Sequence, residues 1–154
     1  IDEQTSQKEG RGFYEMCTKK RESQVCAPYG HARGYDTLER EKAKIARQTY
    51  TTQMSGIHSS AEIKQSSQDF TFGVQPWGMC PYETSIELAK KAHVIIADYY
   101  HIFSPSVSEL VLPKLGKKLE DCILIVDEAH NLPERIRGLL STNVTTKQMQ
   151  KALE

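Results

Sequence analysis

The stretch Cys122-Ile123-Leu124-Ile125-Val126-Asp127-Glu128-Ala129-His130 decides how this chain is read. Its five leading apolar residues, three of them β-branched, have the length and composition of a strand covered on both faces. Two carboxylates and an imidazole follow at once. In open α/β folds, ligands bind outside the carboxyl ends of parallel strands, so these side chains stand where chemistry is done. During phosphoryl transfer from a nucleoside triphosphate, a strand-end Asp helps hold magnesium, and a neighbouring group orients or deprotonates the attacking water. Asp127 and Glu128 suit those two roles, with His130 beside them. A bare Asp-Glu pair often does no more than open a solvated loop. The whole tetrapeptide after Ile-Leu-Ile-Val, continued by Asn131-Leu132-Pro133-Glu134, is what argues for function.

Upstream, Val94-Ile95-Ile96-Ala97 forms a second apolar run, bounded by Asp98. Two such runs separated by helical patterns predict an α/β fold, a parallel sheet with helices on its faces. Between them the pattern predicts a helix over residues 99–103 and another from 106 to about 119, bent or divided at Pro113. Before the first run, Pro81 suits a first helical turn and Glu83 the positive helix end, with Ile86, Leu88, Ala89 and Ala92 continuing one face.

The chain changes character near residue 80. Residues 1–80 hold 11 Lys and Arg against 10 Asp and Glu and no run that reads as a buried strand. The expected organisation is a polar, mainly helical domain over 1–80 and an α/β segment over 81–154. Within the first, residues 1–12 read as irregular. Asp36 or Thr37 caps a helix through Leu38, Ile45 and Tyr50 that ends near Gly56, and Ser59 or Ser60 caps another through Ile63. Phe70, Phe72, Val74 and Trp77 then lead into the turn region of Pro76, Gly78, Cys80 and Pro81. Past Pro133 the chain is expected to return to helix after Thr145 or Thr146.

With 38% hydrophobic and 26% charged residues, the composition is that of an ordinary globular chain and excludes disordered and fibrous classes. Twenty basic residues balance twenty acidic ones, so any case for a polyanionic partner has to be local. No apolar run approaches the roughly 20 residues of a membrane helix. Ile1 is followed by no basic-then-apolar leader, which reads as an internal piece of a longer intracellular protein. In that compartment thiols stay reduced, and Cys17, Cys26, Cys80 and Cys122 read as metal ligands or packed side chains rather than disulfides.

Three stretches in this order resemble the DEAH-type helicases of the XPD, DinG and FANCJ group, related to Rad3. They are Cys80-Pro81-Tyr82-Glu83, then Ala92-His93-Val94-Ile95-Ile96-Ala97-Asp98-Tyr99-Tyr100-His101, then Ile123-Leu124-Ile125-Val126-Asp127-Glu128-Ala129-His130-Asn131. The resemblance runs from about residue 11 onward. It implies part of a RecA-like motor domain with an iron–sulfur insertion before the Cys-Pro step and an arch-like helical connection near 99–119. The implied activity is ATP-driven, 5′ to 3′ unwinding of DNA, with Asp127 and Glu128 as the Walker B pair and Asp127 on the magnesium of ATP. The implied location is cytoplasmic in a prokaryote and nuclear in a eukaryote. These residues contain no Gly-Lys-Thr phosphate loop, which supplies the amides and the lysine that hold the β- and γ-phosphates, so the fragment alone is expected not to hydrolyse ATP.

A Cys-Pro step also closes ferredoxin-type cluster motifs. Cys80 with Cys17 and Cys26 is the ligand set the resemblance implies for a 4Fe-4S cluster. It asks for four cysteines where the region offers three; His31 or His58 is the candidate fourth ligand. Cys122 reads as a small buried hydrophobe. From Cys17 to Arg47, eight basic residues face four acidic ones. Lys19, Lys20, Arg21 and Arg33 could track a phosphate backbone while Tyr29, Tyr35 or Tyr50 stacks on bases, which suits single-stranded or forked DNA. The bland counterpart is a solvated helical face with pairs such as Asp36 and Arg40. A self-contained metal-binding, DNA-recognising module without catalysis is the rival to the helicase reading.

Overall fold

The structure, a computed structural model, describes residues 11–141 and Gln150; the helix expected after Thr145 or Thr146 lies outside the described residues. The chain falls into two compact units, residues 1–93 and 94–154.

The first unit is built from helices α1 (Arg11–Glu22), α2 (Ala27–Arg33), α3 (Thr37–Gln53) and α4 (Ser60–Gln68), a hairpin of β1 (Thr71–Phe72) and β2 (Gln75–Pro76), and α5 (Pro81–Lys91). Each expected cap forms. The Asp36 carboxylate accepts the Glu39 N–H at 2.8 Å, while Glu39 reaches back to the Tyr35 N–H. Ser59 and Glu62 make a reciprocal capping box, satisfying donors that a helix start leaves free. The Ser59 backbone and hydroxyl donors hold the Glu62 carboxyl below its usual range. Gly34 turns the chain between α2 and α3 at φ +72°, and a Cβ there would stand 2.3 Å from the Arg40 backbone nitrogen. A side chain is excluded on both counts.

Small residues bring α2 and α3 together. Ala32 and Ala46 are fully buried and cluster with Tyr50, Phe70 and Met79, against which Met54, Phe72, Trp77 and Leu88 pack. The Tyr50 hydroxyl meets Ser66 Oγ at 2.8 Å and Ser67 Oγ at 3.1 Å, and Ser67 in turn meets Thr84 Oγ1 at 2.6 Å. Thus α3, α4 and α5 share a buried polar seam in which the hydroxyls have partners. Three elements depart from expectation. Arg11 and Gly12 belong to a helix rather than an irregular segment, α2 forms around Pro28, and the aromatic run of residues 70–77 folds into the hairpin, closed where Trp77 N–H donates to the Phe70 carbonyl at 2.8 Å.

The second unit holds α6 (Tyr100–Phe103), α7 (Pro105–Leu115), short 3₁₀ turns at Leu119–Asp121 and Ala129–Asn131, and α8 (Leu132–Leu140). The helix expected to reach about 119 stops at Leu115, because Pro113 withholds a donor and Gly116 takes a left-handed cap at φ +64°. The two apolar runs do not pair. Among the described residues the sheet is the β1–β2 hairpin, and the runs at 94–97 and 122–126 carry side chains open to solvent. Val94 is 79% exposed, Ile96 94%, Ile123 93% and Ile125 92%. Backbone ladders need a neighbour, and none of the described segments supplies one. The described chain is therefore mostly helical with a small sheet.

Candidate functional site

In the second unit the run at 122–126 delivers Asp127 and Glu128 into a tight turn. Glu128 sits in the left-handed region at φ +49°, ψ +42°, where a residue with a Cβ is uncommon. Its N–H donates to Asp127 Oδ1 at 2.9 Å. Tyr99, just past the end of the other apolar run, donates its hydroxyl to the Asp127 carbonyl at 2.5 Å and more distantly to the Glu128 carbonyl at 3.4 Å. The carboxyl ends of the two runs are thereby pinned to one another. His130 Nδ1 stands 3.2 Å from Glu128 Oε2, an ion pair when the imidazole is protonated. Asp127, Glu128 and His130 are all exposed.

In the first unit, Cys26 precedes α2, Cys80 precedes α5 and Cys17 lies on α1; all three are half-buried free thiols. The Cys80 N–H donates to the Pro28 carbonyl at 2.9 Å, tying the starts of α5 and α2. Burial pushes the Cys80 thiol up, against the pull of the backbone N–H groups of Glu83 and Tyr82. Burial also pushes the Cys17 thiol up, seconded by the nearby Cys26 and opposed by Arg21 and Lys20. Among the described residues, no group of three or more His, Cys, Asp or Glu side chains stands close enough to hold a metal ion. His31 is engaged elsewhere, its Nδ1 3.0 Å from the Gly78 carbonyl and its ring stacked on Trp77 at 4.4 Å. His58 Nε2 is buried without a protein partner. Cys122 is half-buried and its thiol donates to the Lys118 carbonyl at 3.2 Å.

The basic residues divide in two. Lys19 is exposed and Lys20 half-buried on α1, and the Arg21 guanidinium lies over the Tyr29 ring at 5.6 Å. Arg33 instead enters an ion-pair network. Its Nε meets Glu83 Oε2 at 2.5 Å and a terminal nitrogen meets Glu87 Oε1 at 3.0 Å, while Arg47 and Lys90 approach the same Glu87 oxygen at 3.7 and 3.0 Å. Asp36 caps α3, and the Arg40 guanidinium turns to the Tyr35 carbonyl at 3.4 Å. Sequence reasoning gave Glu83 only a helix-end role and missed Glu87 and Tyr99. The available signal was the four-residue spacing of Glu83 and Glu87, which puts both on one helical face.

Burial opposes ionisation of Glu87, but Lys90, by hydrogen bond and charge, together with the charges of Arg33 and Arg47, holds its carboxyl below the usual range. Burial weakens the Arg33 cation, yet Glu83 and then Glu87 outweigh it and raise its pKa, whereas Arg47 is lowered by burial and by Arg33 itself. Both arginines stay charged at neutral pH.

Residues 1–149 match the DEAD_2 family, and the chain belongs to it. It is related to ATP-dependent DNA helicases of the XPD/Rad3 kind. It is 36% identical over 73 residues to the general transcription and DNA repair factor IIH helicase subunit XPD of Schizosaccharomyces pombe, a match covering 47% of this chain and 9% of that protein. It is 33% identical over 76 residues to the ATP-dependent DNA helicase chl1 of Aspergillus clavatus, covering 49% and 10%. With chl1 of Neosartorya fischeri the identity is 29% over 96 residues, covering 62% and 11%. The match thus spans about a tenth of the length of these curated relatives. No solved structure matches the chain, and no helix among the described residues is long and apolar enough to cross a membrane.

Two outcomes follow from the ion-pair network. Arg33→Met leaves the buried Glu83 without its closest partner and is expected to lower the urea unfolding free energy by about 3 kcal/mol, the lower end for breaking a buried pair. Because the Glu87 pKa is depressed on folding, its contribution is present above the ordinary value of 4.5 and is lost as the pH falls through the lower folded value. The unfolding free energy of wild type should decline with acid below that point, and Glu87→Gln should show a shallower decline in the same urea titrations.

Proposed function

We propose that this chain contributes the Walker B half of the ATP site of a DNA helicase, together with an insertion that contacts single-stranded or forked DNA. The observation that carries the reading is the convergence at Tyr99. Two β-branched runs end at one point, where the Tyr99 hydroxyl binds the Asp127 carbonyl, as neighbouring parallel strands end at the carboxyl edge of a sheet. In this reading the runs at 94–97 and 122–126 are strands of a RecA-like motor domain, residues 81–154 belong to that domain, residues 99–119 form the arch-like connection, and residues 1–80 form the insertion. Unwinding runs 5′ to 3′, and the protein is intracellular.

The chemistry assigned to each residue follows from its position. Asp127 is oriented by the Glu128 N–H on Oδ1 and holds the magnesium of ATP. When bound, that magnesium would supply positive charge against the charge that develops on the phosphates in the transition state. Glu128 takes the proton of the attacking water at its carboxylate, and His130 at Oε2 fixes the direction in which that carboxylate points. The phosphate loop that binds β- and γ-phosphates is not in these 154 residues, so the chain alone has no ATPase activity. In the complete protein, Glu128→Gln should abolish ATP turnover while nucleotide binding, followed by a fluorescent ATP analogue, stays within about twofold, since neutralising the base removes a transition-state role. Retained turnover would defeat the assignment.

The same reading gives Cys17, Cys26 and Cys80 as ligands of a 4Fe-4S cluster. The tie between the starts of α2 and α5, where Cys26 and Cys80 stand, supports it; among the described residues the three side chains do not form a metal-binding group. Anaerobic purification is expected to give a brown protein with visible absorption and bound iron, and Cys80→Ser should lose both. Iron-free, colourless wild type that folds unchanged would overturn the cluster.

A further inference from the structure

Glu128 stands in the left-handed region at φ +49°, ψ +42°, and the contacts around it single out one side chain. Each peptide unit is planar, so these two angles are the rotations that set the unit carrying the Asp127 carbonyl against the unit carrying the Glu128 carbonyl. A donor that touches both oxygens therefore restrains both angles at once. The Tyr99 hydroxyl does so, at 2.5 Å from the Asp127 oxygen and 3.4 Å from the Glu128 oxygen. The Asn131 N–H also donates to the Glu128 carbonyl, at 2.9 Å, but that bond belongs to the turn Glu128 opens and leaves the preceding peptide unit unrestrained.

The mount of the Tyr99 ring is fixed by α6. The Tyr99 carbonyl accepts the N–H groups of Ile102 at 3.1 Å and Phe103 at 2.8 Å, so the first turn of that helix is built on the residue whose hydroxyl grips the acidic turn. A tyrosine side chain has only two torsions to adjust, and with its backbone anchored the hydroxyl has little freedom to follow the turn if the turn moves. The consequence for chemistry is direction. A left-handed backbone aims the Glu128 carboxylate along a line that other backbone conformations do not, and His130 Nδ1 meets it there, 3.2 Å from Oε2. Released, a residue with a Cβ relaxes to the commoner, unstrained regions, and its carboxylate points elsewhere.

We infer that Tyr99 is a positioning residue for ATP hydrolysis: its hydroxyl holds the backbone of Glu128 so that the carboxylate is aimed at the attacking water. It acts through Glu128 and moves no proton itself. The inference rests on the Walker B reading above and deepens it, since it adds to the acidic pair a residue from the end of the other apolar run.

The test is steady-state ATP turnover by the complete protein. Tyr99→Phe deletes only the hydroxyl and should lower kcat by about tenfold, the scale of a lost hydrogen bond. KM for ATP should stay within about twofold, because an aim that matters at the reacting water is expressed in kcat. Placing para-aminophenylalanine at position 99 restores a donor on the same ring and should recover most of the lost kcat, and Tyr100→Phe, which removes the neighbouring hydroxyl, should turn over as wild type does. Melting curves establish that each variant is folded. If Tyr99→Phe keeps the wild-type kcat while Glu128→Gln abolishes turnover, the positioning role is overturned and the Walker B reading stands. If Tyr99→Phe raises KM in step with its loss of kcat, or the restored donor recovers nothing, the contribution of Tyr99 is structural and the inference also falls. If Glu128→Gln turns over ATP as wild type does, both fall.

Discussion

Glu83 is 6% exposed, and the first unit is organised around keeping its charge matched. A buried carboxylate without partners costs several kcal/mol, and its nearest cation comes from Arg33, fifty residues earlier. That pairing fixes α2 against α5, and Glu87 extends it by drawing in Arg47 from α3 and Lys90 from its own helix. Arg47 in turn donates to the Ala32 carbonyl, so the same guanidinium also ties α3 to the end of α2. A network of this kind adds little net stability over an apolar equivalent. What it imposes here is register, because only one placement of α2 and α5 satisfies both arginines. Cys26 and Cys80 precede those two helices, and their separation is therefore set by ion pairs at some distance from either sulfur.

Local signals were legible where a residue acts on its own neighbours in the chain. Asp36 and Ser59 mark helix starts by accepting backbone N–H groups within one turn, and Pro81 marks one because the first turn does not need the N–H it lacks; the sequence pattern pointed to all three. The hairpin at residues 71–76 escaped because each strand is only two residues long and closes through a bond from Trp77 back to Phe70, which no periodicity encodes. Arg33 was counted with the DNA-facing cations for the same reason. Nothing within a turn of it announces Glu83, and the fate of a basic side chain depends on what the fold sets opposite it.

The two β-branched runs of the second unit were legible as strand material, yet among the described residues they pair with nothing. Periodicity and composition report that a segment is suited to a buried sheet; the ladder itself needs donors and acceptors on another segment. Ile96, Ile123 and Ile125, each more than nine-tenths exposed, form apolar surface of a kind that proteins rarely leave facing water. The helices α6, α7 and α8 close without them, since their caps and turns are internal. The geometry of the turn at the end of the second run was not legible, since Glu128's left-handed conformation is set by contacts from Tyr99, 29 residues earlier.

That geometry has one costly element. A glutamate at φ +49° carries strain of the order of 1–3 kcal/mol and persists only where its surroundings over-determine it. Three groups do so here. Asp127 accepts the Glu128 N–H, Tyr99 binds the carbonyls on both sides of the turn, and His130 meets the Glu128 carboxylate from the following 3₁₀ turn. Two of these belong to the tetrapeptide, so the acidic pair and the histidine stabilise the backbone conformation that presents them. The third, Tyr99, stands two residues past the end of the other apolar run. The left-handed glutamate is thus conditional on both runs ending together, and its geometry is available to chemistry only when that convergence is kept.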